Sequence, residues 1–189
     1  MALPKHEPDE PAPVSQPYTA SDEAAFRLAA QNEGTSSQTA SMWLDAATCG
    51  AGLTGSESAV LGPGNIEPLK DGLAIRVGGP NARLVPIRDS YDELVRTAIQ
   101  QTTGQRFITK EGKNAAYAVA SGLQVAGLGK FSLRRARATW ICAHLRAGTP
   151  LGHLRKIAGP LGADTLIELL RLVADEIDEQ DAALMGRIP

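Results

Sequence analysis

Nine basic side chains, two of them histidines, lie between residues 130 and 160, and no acidic residue interrupts them. The segment reads KFSLRRARATWICAHLRAGTPLGHLRKIAGP. Guanidinium and ammonium groups hold phosphate through charge-assisted hydrogen bonds, and arginine can do so with two parallel donors. Histidine adds a group that can move a proton near neutral pH. The segment therefore predicts phosphate binding, with or without chemistry at the phosphate.

The excess of positive charge extends over a longer stretch, from Gln105 to Pro160. This stretch contains ten lysines and arginines and one acid, Glu111, although the whole chain has a net charge of −2. A strong local excess indicates a polyanionic partner for one face of the protein. Solvated helical cations are the alternative, but ten cations against one acid is too uneven for that interpretation.

Several classes of protein are excluded by composition. No run of about 18 apolar residues occurs, so no membrane-spanning segment is predicted, and the first residues lack the apolar core of a secretory signal. Cys49 and Cys142 lie in apolar helical patterns without a CxxC spacing, which indicates reduced core residues of a cytoplasmic protein. The three histidines do not cluster with cysteine or aspartate, and we expect neither a metal site nor a cofactor.

The elements that must position the basic side chains are mostly helical. Residues 1–17 are rich in proline and polar side chains, which predicts a disordered arm before a single domain over residues 18–189. Apolar periodicity and caps predict helices over residues 21–34, 36–49, 55–61, 90–102, 112–126, 132–147, 150–158 and 164–182.

A small sheet interrupts the helices. Alternating runs at residues 73–77 and 83–87 flank a Gly-Gly-Pro-Asn turn, which predicts a β-hairpin. The segment RFIT, residues 106–109, is rich in β-formers and is expected to be a third strand. The fold class is therefore α+β, mainly α, with a three-stranded antiparallel sheet.

The helix over residues 132–147 has a clear core stripe. This stripe consists of Leu133, Ala136, Trp140, Ala143 and Ala147. Helical geometry turns Arg134, Arg135 and Arg146 away from it and places Arg137 at its border.

Three strings, in order, resemble the catalytic domain of the tyrosine recombinases, or phage integrases. GAGLTGSESAVL is similar to the family motif G-L-R-x-S-E, and IRVGGPNARLVPI is similar to the hairpin G-K-G-x-x-R-x-V-P-L. RRARATWICAHLRAGTPLGHLRKIAGP is similar to the H-x-x-R helix and the following L-G-H motif. The resemblance covers residues 17–175 and implies the fold of that domain. The family's N-terminal core-binding domain, which closes the clamp on DNA, has no counterpart in the sequence.

The resemblance also implies which positions would carry catalysis. The family uses a tyrosine nucleophile, two arginines, a lysine and two His/Trp-type groups around one phosphate. The matching positions hold Thr54, Gly78, Arg134, Arg137, Pro160 and Leu169, so that the second arginine, Arg137, alone is retained. The last tyrosine of the sequence is Tyr117, before the arginine helix. We therefore expect no catalytic residues and a pseudoenzyme without recombinase activity.

The expected partner is double-stranded DNA, held by its phosphate backbone, because the basic stretch coincides with the family's DNA-facing surface. The DNA-binding residues would be Arg106, Lys110, Lys113, Lys130, Arg134, Arg135, Arg137 and Arg155. For Arg137 the alternative is a structural pairing with Glu57 in the core. These features predict a regulator or accessory factor, in transcription or recombination, of a mobile element in a bacterial or phage setting, associated with the nucleoid.

The second function considered is a protein-interaction module that does not bind DNA directly. It would dock on an active recombinase or on itself, as a homo-oligomer, through the last helix. The apolar stripe of that helix consists of Leu166, Leu169, Leu170, Val173 and Ile177. Packing of the stripe on its own domain is the alternative.

Overall fold

The computed structural model of the protein describes residues 16–32, 35–112 and 114–174. The α-helices in these ranges are α1 (Ala20–Asn32), α2 (Thr35–Asp45), α3 (Gly55–Val60), α4 (Asp92–Gln101), α5 (Ala115–Gly122), α6 (Leu133–Arg146), α7 (Leu151–Ala158) and α8 (Ala163–Ala174). The strands are β1 (Ile66–Leu69), β2 (Gly72–Val77), β3 (Arg83–Pro86), β4 (Gln124–Val125) and β5 (Gly129–Lys130). The predicted arm, apart from Gln16 and Pro17, the predicted helical residues 175–182 and Lys113 lie outside the described residues.

The main sheet is three-stranded and antiparallel, with the order β1-β2-β3. Ile75 in the central strand lies opposite Ile66 on one side and Val85 on the other. A short 3-10 turn, Gly79–Asn81, closes the hairpin between β2 and β3. The predicted fold class and hairpin are confirmed. A second, two-stranded sheet joins β4 and β5, where the sequence predicted the end of a helix.

The third strand was predicted in the wrong place. Residues 106–109 form an irregular segment in which Phe107 and Ile108 are both buried, whereas a half-buried strand would alternate. The Phe107 ring stacks on Trp43, with ring centroids 4.3 Å apart. The third strand is β1 at the sheet edge, where Pro68, which lacks a backbone donor, is tolerated.

The core is built around α2 and the π-helical turn Ala46–Gly50 that continues it. Residues 41–50 are all buried. The central part of α6 packs on this turn, and the Trp140 ring lies so close to Gly52 that a β-carbon there would overlap it. Gly52 also has a φ of +61°, so both space and backbone conformation require glycine. As predicted, Cys49 and Cys142 are buried in the core, and neither forms a disulfide.

The start of α1 is anchored on α6 by Tyr18. Its backbone N–H donates to the Thr139 hydroxyl at 2.7 Å, and its own hydroxyl accepts from the Ser132 N–H at 2.7 Å. The ring is buried beside Phe26 and Phe131. The beginning and the end of the described chain therefore share one core.

A buried polar cluster connects α1 to the segment before α4. The carboxylate of Glu23 accepts hydrogen bonds from Arg88 and from the Tyr91 hydroxyl, both at 2.7 Å. The Arg27 guanidinium lies over the Tyr91 ring, 4.1 Å from its centroid. These contacts join the carboxylate to one arginine and one phenol, and the phenol ring to a second arginine.

Asp45 adds a second carboxyl group to this cluster without a comparable partner. Its side chain is fully buried, and neither carboxylate oxygen has a hydrogen-bond partner among the described residues. Burial raises the pKa of Asp45 to about 7, and the neighbouring Cys49 thiol and Arg27 guanidinium oppose this rise only in part. The folded protein therefore favours the neutral form of the side chain.

Replacement of Asp45 by asparagine should change how stability depends on pH. Between the ordinary aspartate pKa near 4 and about 7, the folded chain holds a proton that the unfolded chain releases, so the free energy of unfolding falls as pH rises through this window. Asp45→Asn, neutral at every pH, should raise the free energy of unfolding at pH 8 by about 2–4 kcal/mol and change it little at pH 4. Urea unfolding at both pH values measures this. Asp71→Asn, at an exposed turn, is the control, and a destabilised Asp45→Asn at pH 8 would contradict the assignment.

Candidate nucleic-acid interface

The Arg137 guanidinium is bound by three backbone carbonyl groups. It donates to Gly52, to Ala158 at 2.8 Å and to Pro160 at 2.8 Å. Burial lowers the pKa of Arg137 to about 10, and the charge of nearby Arg83 adds to this effect while Glu57 opposes it. The side chain therefore ties α6 to the loop before α3 and to the end of α7.

A second arginine, Arg83 in β3, lies beside this network. It forms a mostly buried ion pair with Glu57, with an Nη1–Oε1 distance of 2.6 Å, and its Nε donates to the Ile157 carbonyl at 2.8 Å. Glu57 therefore pairs with Arg83 and not with Arg137, which was the alternative considered for the predicted DNA-binding residue Arg137. The guanidinium of Arg137 is satisfied by carbonyl oxygens instead.

Glu57 also fixes the amino end of α3. The Thr54 hydroxyl accepts from the Glu57 N–H at 3.3 Å, and Glu57 Oε2 accepts from the Thr54 N–H at 2.9 Å. Burial alone would raise the pKa of Glu57, but hydrogen bonds from Arg83 and Thr54 hold it below its usual value. A charged carboxylate is thus held where the family motif places its serine-glutamate pair.

The positions that the sequence matched to catalytic residues offer few side-chain groups that could take part in a reaction. The Thr54 hydroxyl bonds to Glu57 Oε2 at 2.9 Å as part of the cap, and Gly78 lies in the hairpin turn. Pro160 contributes the carbonyl that binds Arg137. Leu169, at the position of the nucleophile, is fully buried in the core. Arg134 is exposed at the start of α6.

Five of the predicted DNA-binding residues are exposed: Arg106, Lys110, Lys130, Arg134 and Arg155. Arg106 and Lys110 line a groove of about 430 Å³ between α3 and the start of α5. Lys110 also borders a neighbouring groove of about 310 Å³. At the other end of α3, Gly55 abuts Leu133, the residue before Arg134. Arg106 and Lys110 therefore lie beside α3, and Arg134 follows the residue that packs on the amino end of this helix.

Arg135 has partners at the start of the described chain. Its Nε donates to the Gln16 carbonyl at 2.9 Å, and its Nη2 lies 3.7 Å from Asp22. The guanidinium also lies over the Tyr18 ring, 4.2 Å from the centroid. Arg135 thus holds the segment before α1, and Lys113 lies outside the described residues.

Sequence reasoning missed the roles that Thr54, Arg83 and Tyr117 have in this region. The Thr-x-x-Glu spacing could have identified the cap that holds Glu57, and Arg83 stands in the hairpin string as a possible partner. Tyr117, which is 55% exposed, carried no sequence signal because its helical pattern alone did not show where α5 packs.

The apolar stripe of α8 packs largely into the chain's own core. Leu169 and Val173 are buried, and Leu166 and Leu170 are half-buried. Ile177 lies outside the described residues. The stripe therefore does not provide a free docking face over the described part of α8.

The described residues offer neither a metal site nor a membrane span. No group of three or more His, Cys, Asp or Glu side chains there is arranged to hold a metal ion. Nor is any helix in those ranges long and apolar enough to cross a membrane.

The fold is that of the tyrosine-recombinase catalytic domain, and the resemblance in structure extends over nearly the whole chain. A crystal structure of XerA recombinase matches 97% of this chain with a TM-score of 0.62 and 14% sequence identity. XerH site-specific recombinase in a post-cleavage complex with its difH substrate matches 92% with a TM-score of 0.65 and 10% identity. The Tn1549 transposon integrase, bound to a circular intermediate DNA, matches 95% with a TM-score of 0.61 and 14% identity.

The match covers only part of each of these proteins. The chain spans 68% of XerA and of the Tn1549 integrase and 54% of XerH. In sequence, no family model and no curated protein matches it significantly. The likeness therefore establishes the fold.

Removal of the Arg137 side chain should destabilise the protein. Arg137→Met leaves three carbonyl groups without their donor; two of these hydrogen bonds are half-buried and cost roughly 1–3 kcal/mol each when lost, whereas water can replace the exposed one to Pro160. We expect a loss of about 3 kcal/mol in the free energy of unfolding, measured by urea denaturation. Arg134→Met, the matched change at an exposed position of the same helix, should change stability by less than about 0.5 kcal/mol. A stable Arg137→Met variant with a DNA-binding defect would instead identify Arg137 as a phosphate contact.

Proposed function

We propose that the protein binds double-stranded DNA through its phosphate backbone and does not cut it. Its role would be that of a regulator or accessory factor, in transcription or recombination, of a mobile element, acting at a bacterial or phage nucleoid. Residues 18–189 would act as one DNA-binding domain, with residues 1–17 as an arm. The observation that supports this proposal is the group of exposed cations around α3, beside positions from which catalytic side chains are missing.

The exposed cations have the properties that backbone binding requires. Among the described residues, no carboxylate forms an ion pair with Arg106, Lys110 or Arg134, so their charges remain available. Each phosphate contact releases counterions, and binding of this kind weakens steeply with salt. A domain that contacts one side of the duplex neutralises few phosphates. We expect a dissociation constant on the order of micromolar at physiological salt, the range of non-specific electrostatic binding.

The side chains at the catalytic positions support binding without strand transfer. Threonine in place of an arginine cannot provide two parallel donors to a phosphate, and leucine cannot attack one. The remaining arginine, Arg137, already binds three carbonyl groups. Loss of one electrostatic group can cost orders of magnitude in rate, and loss of the nucleophile removes the covalent step.

The structural neighbours favour DNA over other polyanions. The XerH and Tn1549 integrase structures are complexes with DNA, and the present chain shares their fold over most of its length. The exposed cations described above lie on this shared fold. The exposed cations, on a fold that is found in complexes with DNA, favour double-stranded DNA among the possible polyanionic partners.

Substitution of the exposed cations should weaken DNA binding and flatten its dependence on salt. Arg134→Ala should reduce the log–log salt slope by about one, and Arg106→Ala with Lys110→Ala by up to about two. Fluorescence anisotropy with a labelled duplex at several salt concentrations measures affinity and slope together.

Lys70→Ala is the matched control. It also removes one positive charge, but in the β1–β2 turn, which lies at the opposite end of β2 from the Gly79–Asn81 turn. It should leave affinity and slope unchanged. If the wild-type protein ignores DNA at low salt, the proposal fails and the protein-interaction module takes its place.

Incubation with a nicked suicide substrate should give no covalent protein–DNA adduct. The reason is the absence of a nucleophile at Leu169 and of the first arginine at Thr54. Denaturing electrophoresis with labelled DNA, run beside an active recombinase on its own substrate, measures this. An adduct that survives denaturation would overturn the assignment as a pseudoenzyme.

A further inference from the structure

Tyr117 is the one aromatic side chain of this protein that faces solvent. The chain has eight aromatic residues, all within the described ranges. Seven of them are at most 4% exposed, whereas Tyr117 is 55% exposed. An exposed aromatic ring forgoes the stabilisation that burial would give, and aromatic residues are enriched at binding surfaces. The exposure of Tyr117 therefore points to a binding surface around it.

The ring lies near the amino end of α3, the helix that also borders the groove containing exposed Arg106 and Lys110. A β-carbon at Gly55 would lie 3.8 Å from Tyr117 Cε2 and would overlap the Leu133 side chain, which precedes exposed Arg134. The next residue, Ser56, already lines the groove that contains Arg106 and Lys110. The aromatic face and the cationic groove are thus contiguous along one short helix.

The groove combines an apolar wall with a charged rim. Ala59, Val60 and Ala115 form the wall, and Val60 is 57% exposed. Arg106 and Lys110 lie on the rim, together with one carboxylate, Glu111. Its volume of about 430 Å³ is in the range of sites that bind small molecules, and is large enough for one nucleotide.

We propose that this surface holds an unpaired nucleotide of DNA, with its base stacked on Tyr117 and the adjacent phosphates on Arg106 and Lys110. Any of the four bases can stack on an exposed aromatic ring, and a cationic groove binds the phosphates of the attached backbone. In an intact duplex the bases are stacked on each other and unavailable. The protein should therefore prefer bulged or single-stranded DNA to a perfect duplex. This inference rests on the proposed DNA binding and adds the kind of DNA that is selected.

The test compares a perfect duplex with the same duplex carrying one unpaired 2-aminopurine, whose fluorescence is quenched by stacking. Wild-type protein should bind the bulged DNA about tenfold more tightly and quench the probe. Tyr117→Ala should bring the two affinities to within about twofold and abolish the quenching. Tyr117→Phe should retain both, because stacking needs the ring and not the hydroxyl. Leu28→Ala, an exposed apolar truncation on α1, is the control and should retain both.

The outcomes separate this inference from the proposed function. If the duplex is bound normally but the bulge gives no preference or no quenching, the inference is wrong and backbone binding stands. If no DNA is bound at low salt, the proposed function itself is wrong. If Tyr117→Ala leaves both DNA affinities unchanged but lowers self-association in sedimentation, Tyr117 belongs to a protein interface and the inference is overturned. Circular dichroism of each variant confirms that it is folded.

Discussion

A buried guanidinium keeps its charge, and the arrangement of the second half of this protein depends on how that charge is satisfied. Burial of an unpaired charge is costly, so the donors of Arg137 must be met in a fixed geometry. Three carbonyl groups meet them, at Gly52, Ala158 and Pro160. These groups come from the loop before α3 and from the end of α7. The position of both elements relative to α6 is therefore linked to one side chain.

The same constraint explains where the positive charge is left. Arg83 and Glu57 neutralise each other beside Arg137, so the space between α3, β3 and α6 holds a closed set of mutual contacts. A phosphate placed there would have to displace them. The cations without an acid partner among the described residues lie farther out, along α3 and at the start of α6. The protein thus retains a basic surface around a centre that is occupied by its own backbone and side chains.

Periodicity predicted most of the fold and less of the site, for a physical reason. Helices and the hairpin follow from local patterns, and over the described residues these were confirmed with ends that shift by up to about four residues. Residues 106–109 have the composition of a strand, but Phe107 is buried by stacking on Trp43, a tertiary contact that composition does not encode. Helical spacing likewise turned Arg135 away from the α6 core stripe without showing that Asp22 and Tyr18 would meet it. Partners far apart in sequence decide which surface charges are free.

The distribution of acids reconciles a basic surface with a net charge of −2. Four ion pairs engage arginines outside the basic stretch, at Arg76, Arg83, Arg88 and Arg96. Within that stretch, Asp22 of α1 reaches Arg135, the cation that anchors the beginning of the described chain. The ion pairs thus mostly engage arginines outside the basic stretch, and within that stretch Glu111 is the one acidic residue of the sequence. An overall negative charge limits non-specific attraction to polyanions, while the local excess directs any such contact to one face.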